Sequence, residues 1–274
     1  MKKTKMALAG IACLLGVSGT TLAQADQLAD IKARGTLVCG VLSNLEPFGF
    51  MDPQSRTVVG YDIDFCDAVA KRLGVKPELK QLAIDARIPE LSQGRVDVLA
   101  AVLGYNAARA TQVDFTYSYF LSEMKVAVQD DSSVKELADL SGKRISSIKG
   151  SSTPAMLRAA IKDVNVVSYD DAPSAFMALT QKKVDGFGLT EAMLRRFIAK
   201  LGDNSGLTVV STPVGKEYWG LGIKKDEPAL LAAVNDALKD MEAKGEAQQI
   251  FDKWLGKDSA YKMSRSFTIE PIAQ

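Results

Sequence analysis

At 274 residues the chain has room for one large domain or two small ones, and its 47% hydrophobic and 24% charged residues match a globular protein with an ordinary core, not a disordered, collagenous or membrane-spanning one. Lys and Arg number 34 against 33 Asp and Glu, a formal charge of +1, which argues against a nucleic-acid partner because phosphate recognition needs a concentrated positive field. Histidine is absent, so Ser-His-Asp and Cys-His nucleophilic catalysis, imidazole metal sites and histidine acid–base chemistry are excluded together.

Residues 1–25 have the organisation of a cleavable export signal. Lys2, Lys3 and Lys5 precede an apolar run from Met6 to Val17, and Ala23-Gln24-Ala25 supplies a small-x-small cleavage pattern. The run is shorter than the roughly 20 residues needed to span a bilayer. Cys13 lacks the flank of a lipidation site, and removal of three lysines would take the formal charge from +1 to −2. An exported, periplasmic protein is therefore expected. Cys39 and Cys66 remain, either paired in an oxidising compartment or buried as small apolar residues; with no histidine and no C-x-x-C, no metal or other cofactor is expected.

Leu37–Val41 is a short apolar strand, followed by a turn-rich stretch through Pro47, Gly49 and Pro53. From Gly60 the period becomes helical: Ile63, Cys66, Val69, Ala70 and Leu73 share a face, Asp62 and Asp64 act as helix-start charges, and Gly74 ends the helix. Ile88–Gln93 is a short helix, and Val96–Leu103 is a nearly continuous apolar run suited to a strand covered on both faces. The segment Leu91-Ser-Gln-Gly-Arg-Val-Asp97 is echoed as Leu179-Thr-Gln-Lys-Lys-Val-Asp185, each a helix end running into a strand. Between them lie a strand at Arg144–Ile148, a helix at Pro154–Ile161, a strand at Val164–Val167 and a helix at Pro173–Gln181; Val184–Leu189 is another strand. Apolar stripes through Leu230, Val234, Leu238 and Met241 and through Ile250, Phe251, Trp254 and Leu255 end the pattern as core-facing helices. The expectation is an α/β chain of two similar units.

Sheets of this kind bind ligands beyond the carboxyl ends of their strands. There stand Gly104 and Arg109 after the first unit's strand, Gly150-Ser151-Ser152-Thr153 before a helix in the second, and Thr190 and Glu191 after Leu189. A guanidinium offers a planar fork for a carboxylate and stays charged when desolvated, although a surface arginine is the commoner use of the residue. The Gly150–Thr153 turn can present N–H groups to an anion or serve as an ordinary helix cap, and it is not followed by the Gly-Lys of a phosphate loop.

The run Gly60-Tyr-Asp-Ile-Asp-Phe-Cys-Asp-Ala-Val-Ala-Lys-Arg-Leu-Gly74 resembles the signature of the extracellular solute-binding proteins of family 3, the amino-acid receptors of ABC importers. Ile88-Pro89 with Gly94-Arg-Val-Asp97, Asn106-Ala-Ala-Arg109 with Val113-Asp114-Phe115, Lys149-Gly-Ser-Ser152 and Tyr218-Trp-Gly-Leu-Gly-Ile extend the resemblance in the same order. It implies a two-lobed periplasmic-binding-protein fold of type II: 26–117 with 214–274 as one lobe, 118–213 as the other, and crossovers near Tyr117–Leu121 and Val209–Gly215. It implies a monomer that captures an amino acid or a dicarboxylate and delivers it to an ABC permease in the inner membrane.

By the same resemblance Arg109 clamps the ligand carboxylate, Val102 and Gly104 contribute backbone groups, Ser152 adds a hydroxyl, and Leu45 and Ile84 form walls. The family's acid for the ligand ammonium falls at Thr190, a departure, with Glu191 beside it. Arg87 resembles the glutamate/aspartate-binding branch, where it would meet a side-chain carboxylate, though Leu42 and Ala172 stand where that branch has other basic residues. The rival expectation is a cyclohexadienyl or arogenate dehydratase, in which a buried Glu191 of raised pKa would be the acid. A sensory domain of a membrane kinase is set aside for want of a transmembrane segment.

Overall fold

The computed structural model describes residues 26–202 and 204–272. The export signal and Cys13 lie outside them. In chain order the elements are α1 (Gln27–Arg34), β1 (Thr36–Val41), β2 (Asn44–Leu45), β3 (Gly49–Met51), β4 (Val58–Val59), α2 (Tyr61–Leu73), β5 (Lys76–Gln81), α3 (Arg87–Ser92), β6 (Val98–Leu99), α4 (Ala107–Ala110) and β7 (Val113–Gln129). Then follow β8 (Arg144–Ile148), α5 (Thr153–Ala160), β9 (Asn165–Tyr169), α6 (Ala172–Thr180), β10 (Gly186–Thr190), α7 (Glu191–Ala199), β11 (Leu207–Val209), β12 (Gly215–Lys224), α8 (Pro228–Ala243) and α9 (Glu246–Trp254).

The main sheet runs β5-β1-β6-β12-β7-β10-β8-β9, with β11 on β7, and β2, β3 and β4 form a small second sheet. Its two flanks are parallel, β5 and β6 on either side of β1 and β10 and β9 on either side of β8, each covered by helices. Between them β7 and β12 run antiparallel. The first part of β7 pairs with β12 of one half and its last residues, Met124–Val128, pair with β10 of the other, so one strand passes from half to half. The segment Tyr117–Leu121, where a crossover is expected, is the middle of this 17-residue strand. The register of this pair shifts at Trp219/Gly220 and Gly220/Gly222, one extra residue falling on β7 each time.

The internal echo has a physical meaning. Asp97 donates its N–H to Val38 O (2.8 Å) and accepts the Val38 N–H (2.8 Å), while Asp185 donates its N–H to Arg144 O (2.7 Å) and accepts the Arg144 N–H (2.8 Å). Each aspartate thus clamps the start of the first strand of its half. Where Val96–Leu103 suggests a long buried strand, only Val98–Leu99 is ladder-paired; the chain then breaks at Val102, whose φ of +46° is strained for a β-branched residue. The turn-rich stretch after β1 holds the small sheet, and β5 was not anticipated because its charged sequence, KPELKQ, conceals a sheet-edge strand.

Cys39 of β1 and Cys66 of α2 are joined as a disulfide across Cα atoms 6.4 Å apart, so of the two open readings of this pair the bonded one holds in the structure. Beneath the junction of the halves, Phe48, Tyr61, Phe65, Tyr119, Phe120 and Trp219 form a buried aromatic cluster with mostly edge-on and tilted contacts. Tyr61 Oη donates to Tyr119 O (2.8 Å), fastening the start of α2 to β7.

Candidate functional site

The carboxyl ends of the parallel strands of both halves converge on an inner cavity of about 30 Å³ that opens into a groove of about 710 Å³. Ile84, Arg87, Arg109, Ser151, Ser152 and Glu217 line both. Seven of the residues singled out in the sequence, Leu45, Ile84, Arg87, Val102, Arg109, Ser152 and Thr190, line the inner cavity, although the chain separates the first from the last by more than half its length. Gly104 stands behind Arg109 and contributes its carbonyl.

Arg109 sits on the single turn α4, where the Asn106 side chain accepts the Arg109 N–H (2.8 Å) and caps the turn. Its guanidinium donates through Nη1 to Gly104 O (2.8 Å) and through Nη2 across the cleft to Gly150 O (3.0 Å). Glu217 Oε1 lies 3.7 Å from Nη1. Burial holds the Arg109 pKa below its ordinary value against the opposing pull of Glu217. Three of its five N–H groups remain for another acceptor.

Arg87 does not reach to solvent: it is 2% exposed and its donors are directed at backbone carbonyls. Nε donates to Ile84 O, Nη1 to Ala101 O and Val102 O, and Nη2 to Gly150 O. Burial, with the charge of Arg109 beside it, brings its pKa down to about 9, so it is a cation at neutral pH. Both guanidinium groups therefore grip one carbonyl, that of Gly150, from the opposite half.

Asp62 is more than a helix-start charge. Its carboxylate accepts the Val102 N–H (2.9 Å) and the Tyr119 hydroxyl (2.8 Å), so Asp62 and Arg87 hold the strained Val102 from its two ends. Burial pushes the Asp62 carboxyl up to about 7, against hydrogen bonds from Tyr119 and Val102 and the charge of Arg87. In the unfolded chain the same carboxyl ionises near 3.8, so between about 4 and 7 the folded state carries the extra proton and stability falls as pH rises. Melting temperatures from pH 4 to 8 should therefore decline less steeply for Asp62→Asn than for the wild type; parallel curves would remove Asp62 as the source of that slope.

On the second half, Ser152 is the N-cap residue of α5 but makes no side-chain capping bond, and with Ser151 and Thr153 it places the start of α5 on the cavity. Thr190, where the resemblance places an acid, accepts a hydrogen bond from Ser122 Oγ (2.7 Å). Glu191 is not a cavity residue. Partial burial pushes its pKa up, but hydrogen bonds and charge from Lys125 and Arg195 outweigh this and hold it below the ordinary value. The expectation of a buried acid of raised pKa at Glu191 is thus overturned. Sequence reasoning missed Glu217, which shares with Trp219, Leu221 and Ile223 the buried face of β12; the period of two made it legible as a carboxylate among core residues.

The halves also meet at the rim. Glu46 accepts from Arg196 Nε of α7 (2.9 Å) and from Nζ of Lys200, the residue after that helix (2.7 Å), and Lys149 Nζ lies 3.1 Å from Asp85. The cleft is shut in this structure.

Residues 37–257 match the family model of the bacterial extracellular solute-binding proteins, family 3. The L-cystine-binding protein TcyJ of Escherichia coli K12 is 27% identical over 94% of this chain and 96% of its own. Among solved structures, an ancestral arginine-binding protein bound to arginine superposes with a TM-score of 0.75 at 34% identity, over 81% of this chain and 99% of that one. An ancestral amino-acid-binding protein described as a precursor of cyclohexadienyl dehydratase superposes with a TM-score of 0.76 at 26% identity, over 85% and 100%.

Proposed function

This chain belongs to the bacterial extracellular solute-binding proteins, family 3, and from that premise we propose that it is the amino-acid-binding component of an ABC importer, working in the periplasm after cleavage of residues 1–25. Residues 26–117 with 214–274 make one lobe and 118–213 the other, β7 and β12 forming the paired hinge. A monomer captures an amino acid, or a related carboxylate, between the lobes and presents the closed form to an inner-membrane permease. The observation that carries this reading is Arg109: a desolvated fork with unused donors, anchored in one half and already bonded to the other. Ligand binding and closure are then one equilibrium, because only the shut cleft lets a single solute touch both halves.

The ligand carboxylate takes the place of the Gly150 carbonyl as partner of Arg109, and Ser152 with the start of α5 completes its cradle. Leu45, Ile84, Met124, Leu189 and Met193 wall the side-chain end. Arg87, with four donors on carbonyls, acts chiefly on the frame, and a preference for acidic ligands rests on its one remaining N–H. No chemistry on the ligand is required; a dehydratase role for Glu191 lacks the raised pKa such an acid needs.

A thermal-shift screen over the amino acids and small dicarboxylates tests the assignment. Tight binding to the folded state raises Tm by mass action, equivalent to about 3 kcal/mol at a hundredfold excess over Kd. At least one amino acid should give such a rise; a flat response across the whole panel would contradict the reading.

A further inference from the structure

Resting on that reading, we propose that Glu217 receives the α-ammonium group of the ligand. Among the described residues that line the inner cavity it is the one carboxylate. Its Oε2 accepts the Trp219 indole N–H (2.9 Å), which fixes the side chain, while Oε1 is buried without a hydrogen-bond partner. A buried carboxylate oxygen left unbonded is unfavourable, so this atom is poised for a donor that arrives from elsewhere.

The neighbouring acceptors are engaged. The Val102 carbonyl takes a hydrogen bond from Arg87 and the Thr190 hydroxyl takes one from Ser122. Glu217 Oε1 and Arg109 Nη1 stand 3.7 Å apart, side by side at the cavity. That pairing of opposite charges matches an α-amino acid zwitterion, whose carboxylate and ammonium are borne on one carbon and lie a similar distance apart. Carboxylate to Arg109 and ammonium to Glu217 satisfies both without a long-range rearrangement.

Gly104 makes the arrangement sterically possible. A Cβ at that position would stand 1.7 Å from Glu217 Cδ, so any side chain there would displace the carboxylate. Glycine at 104 and glutamate at 217 are thus two parts of one device.

The test compares each amino acid with its des-amino counterpart by calorimetry: L-glutamine with 4-carbamoylbutanoate, L-arginine with 5-guanidinopentanoate, L-glutamate with glutarate. The wild type should prefer the bound amino acid over its counterpart by roughly 10- to 100-fold, the range of a hydrogen bond to a charged group. In Glu217→Gln that preference should shrink to within about threefold, through weaker binding of the amino acid alone. Gly104→Ala, which leaves the carboxylate in the chain but moves it, should do the same, and circular dichroism and Tm identify any variant that fails to fold. If Glu217→Gln weakens both members of a pair by one factor, Glu217 merely positions Arg109 and the proposal is overturned while the transport reading stands. If the wild type binds no amino acid of the panel, the transport reading itself fails.

Discussion

Arg109→Ala is expected to weaken ligand binding by roughly 30-fold to several thousandfold in Kd. That range follows from the 2–5 kcal/mol usually lost when one partner of a buried, hydrogen-bonded charge pair is truncated. Two consequences of the substitution act in the same direction. The ligand carboxylate loses its fork, and Glu217 loses the cation 3.7 Å away. Arg109→Lys should fall between the two, since an ammonium restores the charge but not the planar pair of donors. Arg95→Ala, at an exposed guanidinium with a surface partner in Glu90, provides a neutral control. Calorimetry with whichever amino acid gives the largest thermal shift decides the matter: Arg109→Ala binding within threefold of the wild type would remove the guanidinium from the site.

Gly150→Ala should impair closure more than folding. Gly150 has φ +75°, and a Cβ there would stand 2.6 Å from Asp85 Cα in the opposite half, a backbone contact that no side-chain movement can relieve. The left-handed conformation alone penalises alanine by about 1–2 kcal/mol, and that term is present whether the cleft is open or shut. Gly142 isolates it, because its φ is +70° and nothing lies within 4 Å of its Cβ position. Both variants should therefore lose similar stability, while Gly150→Ala alone should lose affinity, by an order of magnitude or more. Small-angle scattering should show the radius of gyration falling on ligand addition for the wild type and Gly142→Ala but not for Gly150→Ala. Equal affinities for the two alanine variants would mean that the halves need not approach this closely at 85 and 150.

Much of the architecture was legible in local patterns. The face formed by Ile63, Cys66, Val69 and Ala70 marked α2, Gly74 marked its end with φ +75°, and the Leu91–Asp97 and Leu179–Asp185 echo marked two equivalent halves whose aspartates do equivalent work. These signals survive because a helix stripe or a strand start depends on neighbours within a few residues. The extent of β7 escaped, since the segment expected as a crossover, Tyr117–Leu121, is itself part of a strand of 17 residues. The break at Val102 escaped as well. An apolar run with a branched residue favours a continued strand, and only the joint hold of Asp62 and Arg87 turns it aside.

The site divides along the same line. From the residues and their order alone came the two-unit α/β organisation, the exclusion of histidine chemistry, the export signal as an expectation, and the candidates Arg109, Ser152 and Thr190, to which the family resemblance added Arg87; the fold gathers these four round one cavity. Tertiary structure alone decided what each does there. It turned Arg87 towards four carbonyls, drew the Gly150 carbonyl between two guanidinium groups, withdrew Glu191 into surface ion pairs and brought Glu217 beside Arg109. The reason is one of range: residue type and periodicity carry charge and burial, which are local quantities, whereas the partner of a buried charge is chosen by strand pairing that joins positions 87, 109, 150 and 217 across the chain.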